Sequence, residues 1–227
     1  MNKIVVYHVC CMNDWKDVFN NQIDKLINSG LLKESKLYVT ALYNTDQDLG
    51  YIKDKIKDLG ELTNTSKSFD LFEFPALGFI KKKARLEEFY VLYLHTKGVS
   101  ITETNMNYYH GSKDLKHLKE CVADWKDYME YFLIDNYQEC IKVLEEYDAC
   151  GVNLRIEPVN HFSGNFWWSK SSYINTLPEM RNINLSNRYS AEFWIGSGNG
   201  NLKNFYDNGD AGYVKRLDSS YKIYDKK

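Results

Sequence analysis

Three short apolar runs in the first hundred residues limit the folds open to this chain. Lys3–Val9 (KIVVYHV), Lys36–Tyr43 (KLYVTALY) and Phe89–Leu94 (FYVLYL) are rich in β-branched and aromatic residues. That composition suits strands buried on both faces. Helical patterns lie between them. Asn13 or Asp14 can cap a helix through Ile27, with Trp15, Val18, Phe19, Ile23, Leu26 and Ile27 on one face and Gly30 as a stop. Asp46–Leu59 reads as a polar helix, Leu62–Thr65 as a short third strand, and Phe69–Glu88 as mostly helical. Pro75 is tolerated there only near a helix start or at a kink. The β-α-β-α-β-α-β order predicts an α/β fold of Rossmann type, with a mixed, mainly parallel sheet flanked by helices.

Further along, Ile101–Gly111 has few regular signals and reads as a loop over the sheet edge. Lys113–Leu133 reads as a strong helix, with Leu115, Leu118, Val122, Trp125, Met129, Phe132 and Leu133 sharing a face. Asp135 and Gln138 have the spacing of a capping box for a second helix to Glu146. Ala149–Leu154 and Phe162–Trp168 read as strands. Ser169 can cap a helix that stops before Pro178, and Tyr189–Ile195 reads as a short helix ended by Gly196. The tail from Gly198 is expected to wrap the surface without a core of its own. No repeat or linker interrupts the chain, so the expectation is a single domain over residues 1–227.

The bulk properties narrow the class. A net charge of −2 argues against a general polyanion binder, and no nucleic-acid partner is expected. The 18 Tyr and 5 Trp supply rings with polar handles, of the kind that stack on sugars and bases and also fill cores. Five cysteines without CxxC or Cys/His spacing read as a reduced, intracellular chain. The N-terminus lacks a charged leader with a cleavage site, and no apolar run is long enough to span a bilayer.

Three stretches carry candidate chemistry. The Phe89–Leu94 run ends in His95-Thr96-Lys97-Gly98. In open α/β sheets the carboxyl ends of strands are where ligands bind. Lys97 offers a cation for a phosphate, His95 a proton carrier or metal ligand, and Gly98 a close backbone approach. A solvated turn after a core strand has the same composition. Next, PVNHFSGNFWWSK over Pro158–Lys170 sets Ser163-Gly164-Asn165 inside an aromatic run. Either a ligand comes close at Gly164 or the glycine marks a bulge. Trp167 and Trp168 point to opposite faces of a strand, so at most one can face a pocket. Third, NRYSAEFWIG over Asn187–Gly196 places Glu192 among aromatic residues, where a carboxylate can act as a base, with Arg188 nearby for a phosphate. A solvated glutamate on an amphipathic turn is the other reading. The basic run Lys81–Arg85 reads as the solvent face of a helix. GxGxxG after the first strand, GK[ST], GxSxG and HExxH are all absent, and the Asp46/Asp48 pair carries little weight.

The segments YVLYLHTKGVS, DWKDYMEYF with YDACGVN, HFSGNFWWSKSSYI and NRYSAEFWIGS together resemble a family of small glycosyltransferase-like proteins of bacteria and large DNA viruses, with a GT-A-type fold. The resemblance runs from about Tyr90 to Ser197. It implies a nucleotide-binding half at residues 1–100, an acceptor and catalytic half at 101–197, and a wrapping tail at 198–227. It implies transfer of a sugar from a nucleotide-sugar, UDP favoured, to a glycan or small-molecule acceptor with inversion. Glu192 takes the place of the base. His95, Thr96, Lys97, Gly98, Arg188, Tyr7, His8 and Asn44 fall on the donor and diphosphate side. His161, Ser163, Gly164, Asn165 and Trp168 fall on the acceptor and sugar side. Most such enzymes hold Mn²⁺ or Mg²⁺ on an Asp-x-Asp at the end of the fourth strand. This chain has His95-Thr96-Lys97 there, so a metal rests on His95 alone and Lys97 is the alternative phosphate partner. The same fold without catalysis, a nucleotide- or glycan-binding module, is the rival reading. The implied location is the cytoplasm, of the host cell where the source is viral.

Overall fold

A computed structural model describes residues 1–209 and 212–222. Its framework is a seven-stranded sheet in the order β3-β2-β1-β4-β8-β5-β9. The first half is β1 (Asn2–Cys10), α1 (Trp15–Asn28), β2 (Ser35–Leu42), α2 (Asp46–Ile56), β3 (Gly60–Ser66), α3 (Phe74–Ala84) and β4 (Phe89–His95). β1 pairs in parallel with both β2 and β4, and β2 with β3, as the alternating pattern predicts. The second half is α4 (Leu115–Glu130), α5 (Tyr137–Glu146), β5 (Ala149–Gly151), β6 (Leu154–Arg155), β7 (His161–Phe162), β8 (Trp167–Lys170), α6 (Ser171–Ile174), α7 (Tyr189–Phe193) and β9 (Leu202–Asn204). β8 runs antiparallel to β4 and β5, and β9 runs parallel to β5. The sheet is therefore mixed and mainly parallel, and it continues without a break across residues 100 and 197.

Period-two alternation sorts the strand side chains into two cores. Val5, Tyr7 and Val9 face α1, α2, α4 and α5, together with Leu92, Leu94 and Trp168. Ile4 and Val6 face α3, α6 and α7, together with Val91, Tyr93 and Trp167. Both tryptophans are fully buried, one on each face. Among the described residues no helix is long and apolar enough to cross a membrane.

Several elements differ from the sequence pattern, each for a tertiary reason. Phe162–Trp168 is two strands, because Gly164 and Asn165 take φ of +94° and +57° and turn the chain between β7 and β8. Ala149–Leu154 likewise divides, since β6 leaves the main sheet to pair with β7. Phe69–Glu88 divides at Phe72, and Pro75 sits in the first turn of α3. The Asp135/Gln138 capping box does not form: a π-turn over Tyr131–Asp135 runs into α5, whose N-cap Asn136 makes no side-chain cap hydrogen bond. Asp14 caps α1 without a side-chain bond, whereas Thr45 and Asp48 form a full capping box on α2. Ser169 lies within β8 and donates to Asp148 O instead of capping a helix. The tail contributes β9 and buries Tyr221 against α4, so it belongs to the core; its residues 210–211 and 223–227 lie outside the described residues.

Within the basic run Lys82 and Arg85 are exposed as expected, and Lys81 is the departure. Lys81 is buried, and its ammonium donates to Ile174 O at 3.0 Å, Asn175 O at 2.9 Å and Leu177 O at 2.7 Å. It closes the carboxyl end of α6, where carbonyls lack helical partners. Burial lowers its pKa, and Glu179 at 3.5 Å opposes that shift. Lys81→Met removes the ammonium donor from the buried Leu177 O and the part-buried Asn175 O, while Ile174 O keeps Leu177 N, so it is expected to cost about 1–3 kcal/mol in urea unfolding. A loss under about 0.5 kcal/mol, the range of ordinary surface substitutions, would refute that role for Lys81.

Candidate functional site

The carboxyl ends of β1, β2 and β4 open into a cavity of about 840 Å³. His8, Cys10 and Met12 enter it from β1, Leu42 from β2, and His95, Thr96, Lys97 and Gly98 from β4. The opposite wall carries Arg155, His161, Ser163, Asn165, Arg188 and Glu192. The strand-end trio and the late glutamate therefore share one cavity.

Lys97 is held as a cation. Its Nζ lies 4.2 Å from the centroid of the Trp125 ring and 3.5 Å from Tyr213 Oη. Burial works against the charge, but Tyr213, Glu192 and Glu73 outweigh it and raise the pKa. Gly98 follows with φ of +88°, and a Cβ there would meet Val122 Cγ1 at 2.7 Å. Its glycine character thus answers to backbone conformation and to α4.

His95 is neutral. Burial, then the Lys97 charge, lower its pKa to about 3. A neutral ring beside a carbonyl must donate to it, so the contact of Nε2 with Gly164 O at 3.1 Å assigns the proton to Nε2. The same residue's N–H reaches the other wall: Gly164 N donates to Glu192 Oε1 at 2.9 Å. Gly164 thus ties His95 to Glu192. Its left-handed φ and the approach of Met129, whose Sδ would lie 2.5 Å from a Cβ, both require glycine.

A second carboxylate, Glu73, also lines the cavity. Asn165 Nδ2 donates to Glu73 Oε2 at 2.5 Å, and Trp167 Nε1 donates to Asn165 Oδ1 at 2.9 Å. The His8 ring is buried beside Thr40 Oγ1 at 2.8 Å, and burial lowers its pKa to about 4. Cys10 is pushed up to about 12 by burial and by Glu73, so it stays a thiol. His161 donates Nδ1–H to Val159 O at 2.7 Å and packs edge-on against Phe193. Burial disfavours the Arg188 charge, but Tyr109 and its other tyrosine neighbours raise its pKa.

Three residues assigned to the site from sequence lie elsewhere. Tyr7 is fully buried on the α1 side of the sheet and donates to Gln22 Oε1 at 2.5 Å. Trp168 is buried on the same side, with Nε1 donating to Leu133 O at 2.7 Å. Asn44 is exposed outside the cavity and donates to Cys11 O. In a strand, one position's shift in reading moves a side chain to the other face, and Tyr7 and Trp168 fall on the wrong one. Glu73, Trp125, Tyr213 and Arg155 were not found by motif. For Glu73 a signal existed: Phe74-Pro75 marks a helix start, which places the preceding carboxylate at a strand-edge helix terminus.

The residues do not fit the divalent ion that the resemblance implies. Among the described residues, no group of three or more His, Cys, Asp and Glu is arranged to hold one. His95 Nε2 carries the proton given to Gly164 O, and Lys97 puts a positive charge where carboxylates would be needed.

In sequence, a family described as a domain of unknown function (DUF8361) matches residues 79–186. That span takes in His95–Gly98 and the Gly164 turn and stops short of Glu73, Arg188 and Glu192. No curated protein matches the chain. In structure, the chain is similar to HddC from Yersinia pseudotuberculosis, at 11% identity over 91% of each chain and a TM-score of 0.47. It is also similar to 4-diphosphocytidyl-2C-methyl-D-erythritol synthase from Anaerococcus prevotii, at 10% identity over 98% of this chain and 94% of that one, with a TM-score of 0.45. A third similarity is to residues 1–349 of TarS from S. aureus in complex with UDP-GlcNAc, at 12% identity over 96% of this chain and 62% of that one, with a TM-score of 0.42.

Proposed function

We propose that this protein transfers a sugar from a nucleotide-sugar, a UDP-sugar in the favoured case, to a hydroxyl of a glycan or small acceptor, with inversion. One observation carries the reading: a fixed cation, Lys97, and a carboxylate, Glu192, line the same cavity at the carboxyl ends of parallel strands. An acceptor hydroxyl has a pKa far above neutrality, so its attack needs a base. Glu192 takes that proton as the acceptor oxygen bonds to the anomeric carbon. The bond from that carbon to the diphosphate oxygen breaks on the opposite face, which inverts the centre. The departing diphosphate gains charge, and Lys97 with Arg188 stabilises it. Because Lys97 is already charged and packed on Trp125, it needs little reorganisation when that charge develops. His8, Cys10, Met12 and Leu42 wall the part of the cavity assigned to base and ribose.

Nucleotide binding is the first test. UDP at a hundred times its Kd is expected to stabilise the native state by about 2.7 kcal/mol. For a domain of this size that is a rise in Tm of roughly 5–10 °C. Lys97→Met should remove most of the rise. Silence toward UDP, GDP, dTDP and CMP, each with and without Mn²⁺, rules the donor site out. The strand end without an acidic pair favours the rival, a binding module; it predicts the same Tm rise with no turnover of any nucleotide-sugar.

A further inference from the structure

Phe72 has φ of +46° and ψ of −128°, a backbone region that side chains other than glycine rarely enter. Strain of this kind persists where surrounding structure enforces it, and it concentrates at ligand sites. Phe72 and the next residue, Glu73, both line the cavity. Glu73 is also gripped from the opposite wall. An indole nitrogen can only donate, so Trp167 fixes the Asn165 amide with its oxygen inward. The amide nitrogen is thereby turned onto Glu73 Oε2. Asn165 itself sits in a left-handed turn, with φ of +57°, and is buried.

One carboxylate oxygen is thus clamped. The other, Oε1, lies 3.7 Å from His95 Nε2, beyond hydrogen-bond range, and that nitrogen's proton is already given to Gly164 O; the buried Tyr93 hydroxyl also acts on this carboxylate, whose lone pairs still outnumber the protein donors beside it. The Glu73 side chain keeps 23% of its surface accessible. An ionised carboxylate only accepts hydrogen bonds, so the ligand group that fits here is a donor. Glu73, Lys97 and Glu192 all line the same cavity.

We propose that Glu73 is a specificity-determining residue: it accepts hydrogen bonds from hydroxyls of the transferred sugar and selects a neutral sugar over one bearing a carboxylate. This rests on the nucleotide-sugar reading above. A site built to accept from a hydroxyl leaves its own buried groups unmatched when the hydroxyl is missing, and a like charge placed there is repelled.

The test uses isothermal titration of the full chain with UDP, UDP-glucose and UDP-glucuronate. The two sugars differ only at C6, where a hydroxymethyl becomes a carboxylate. The wild type is expected to bind UDP-glucose at least tenfold more tightly than UDP-glucuronate, a comparison that needs no variant. Glu73→Gln and Glu73→Ala should leave UDP affinity within about threefold. Both should cut the affinity ratio of UDP-glucose to UDP about tenfold, and Glu73→Gln should narrow the gap to UDP-glucuronate. Normal UDP binding with both ratios unchanged in the variants, or a wild type indifferent to the C6 charge, overturns the role of Glu73 alone. Failure of the wild type to bind UDP or either sugar nucleotide removes the donor-site reading, and this inference with it.

Discussion

Between pH 7.5 and 4.5 the wild-type protein is expected to lose about 2–3 kcal/mol more stability than His95→Gln does. Burial holds His95 at about 3 and His8 at about 4, with the Lys97 charge also pressing on His95 and with Glu73 partly opposing the shift at His8. In the unfolded chain both rings titrate near 6.5. Below that pH the unfolded chain takes up protons that the folded chain refuses, so acid favours unfolding. The stability is fully present above pH 6.5 and falls until the folded values are passed. Each shift corresponds to something on the order of 3–5 kcal/mol at full extent. The two do not simply add, because the rings disfavour each other's charge. Glutamine at position 95 keeps a donor for Gly164 O while removing the titration. Carboxylates held low by partners, such as Asp207 against Arg155, contribute equally to both proteins. Urea unfolding at pH 7.5, 5.5 and 4.5 measures the difference. Parallel losses in the two proteins would show that His95 is charged in the fold.

Glu192→Gln is expected to lower turnover of the nucleotide-sugar by about 10²–10⁴ while leaving UDP affinity within roughly threefold. The amide oxygen can still accept from Gly164 N–H, so the local structure is kept and only the proton acceptor is lost. Steady-state transfer or hydrolysis, followed by release of UDP, reads the effect. Turnover that survives the substitution would assign the base elsewhere, with Glu73 the next carboxylate in the cavity. Binding without turnover in the wild type as well would favour the binding module.

The parts legible in the sequence were those whose cause is local. Phe89–Leu94 reads as a buried strand because six consecutive positions have nowhere else to go, and the polar residues after it mark the strand's carboxyl end. The parallel first half follows from strands separated by helices. Glu192 stood out as a lone carboxylate among rings. Lys81 was misread because a lysine in a basic run looks the same whether water or three carbonyls receive its protons. Trp168 and Tyr7 were misread because alternation says that neighbours face opposite ways and leaves open which face holds the cavity. The Ser163-Gly164-Asn165 turn passed for a strand because its flanks, His161–Phe162 and Trp167–Lys170, are both strand.

Sequence alone determined the layered α/β plan, the mainly parallel sheet and the cation at the end of β4, since each follows from periodicity, from the alternation of strands and helices, or from the residue at a strand end. Tertiary structure alone decided which carboxylates meet that cation. Glu73, Lys97 and Glu192 come from three separate parts of the chain, and they converge only when β8 inserts beside β4 and Gly164 brings both walls within hydrogen-bonding reach. Contacts between distant segments carry no periodic signature; packing creates them.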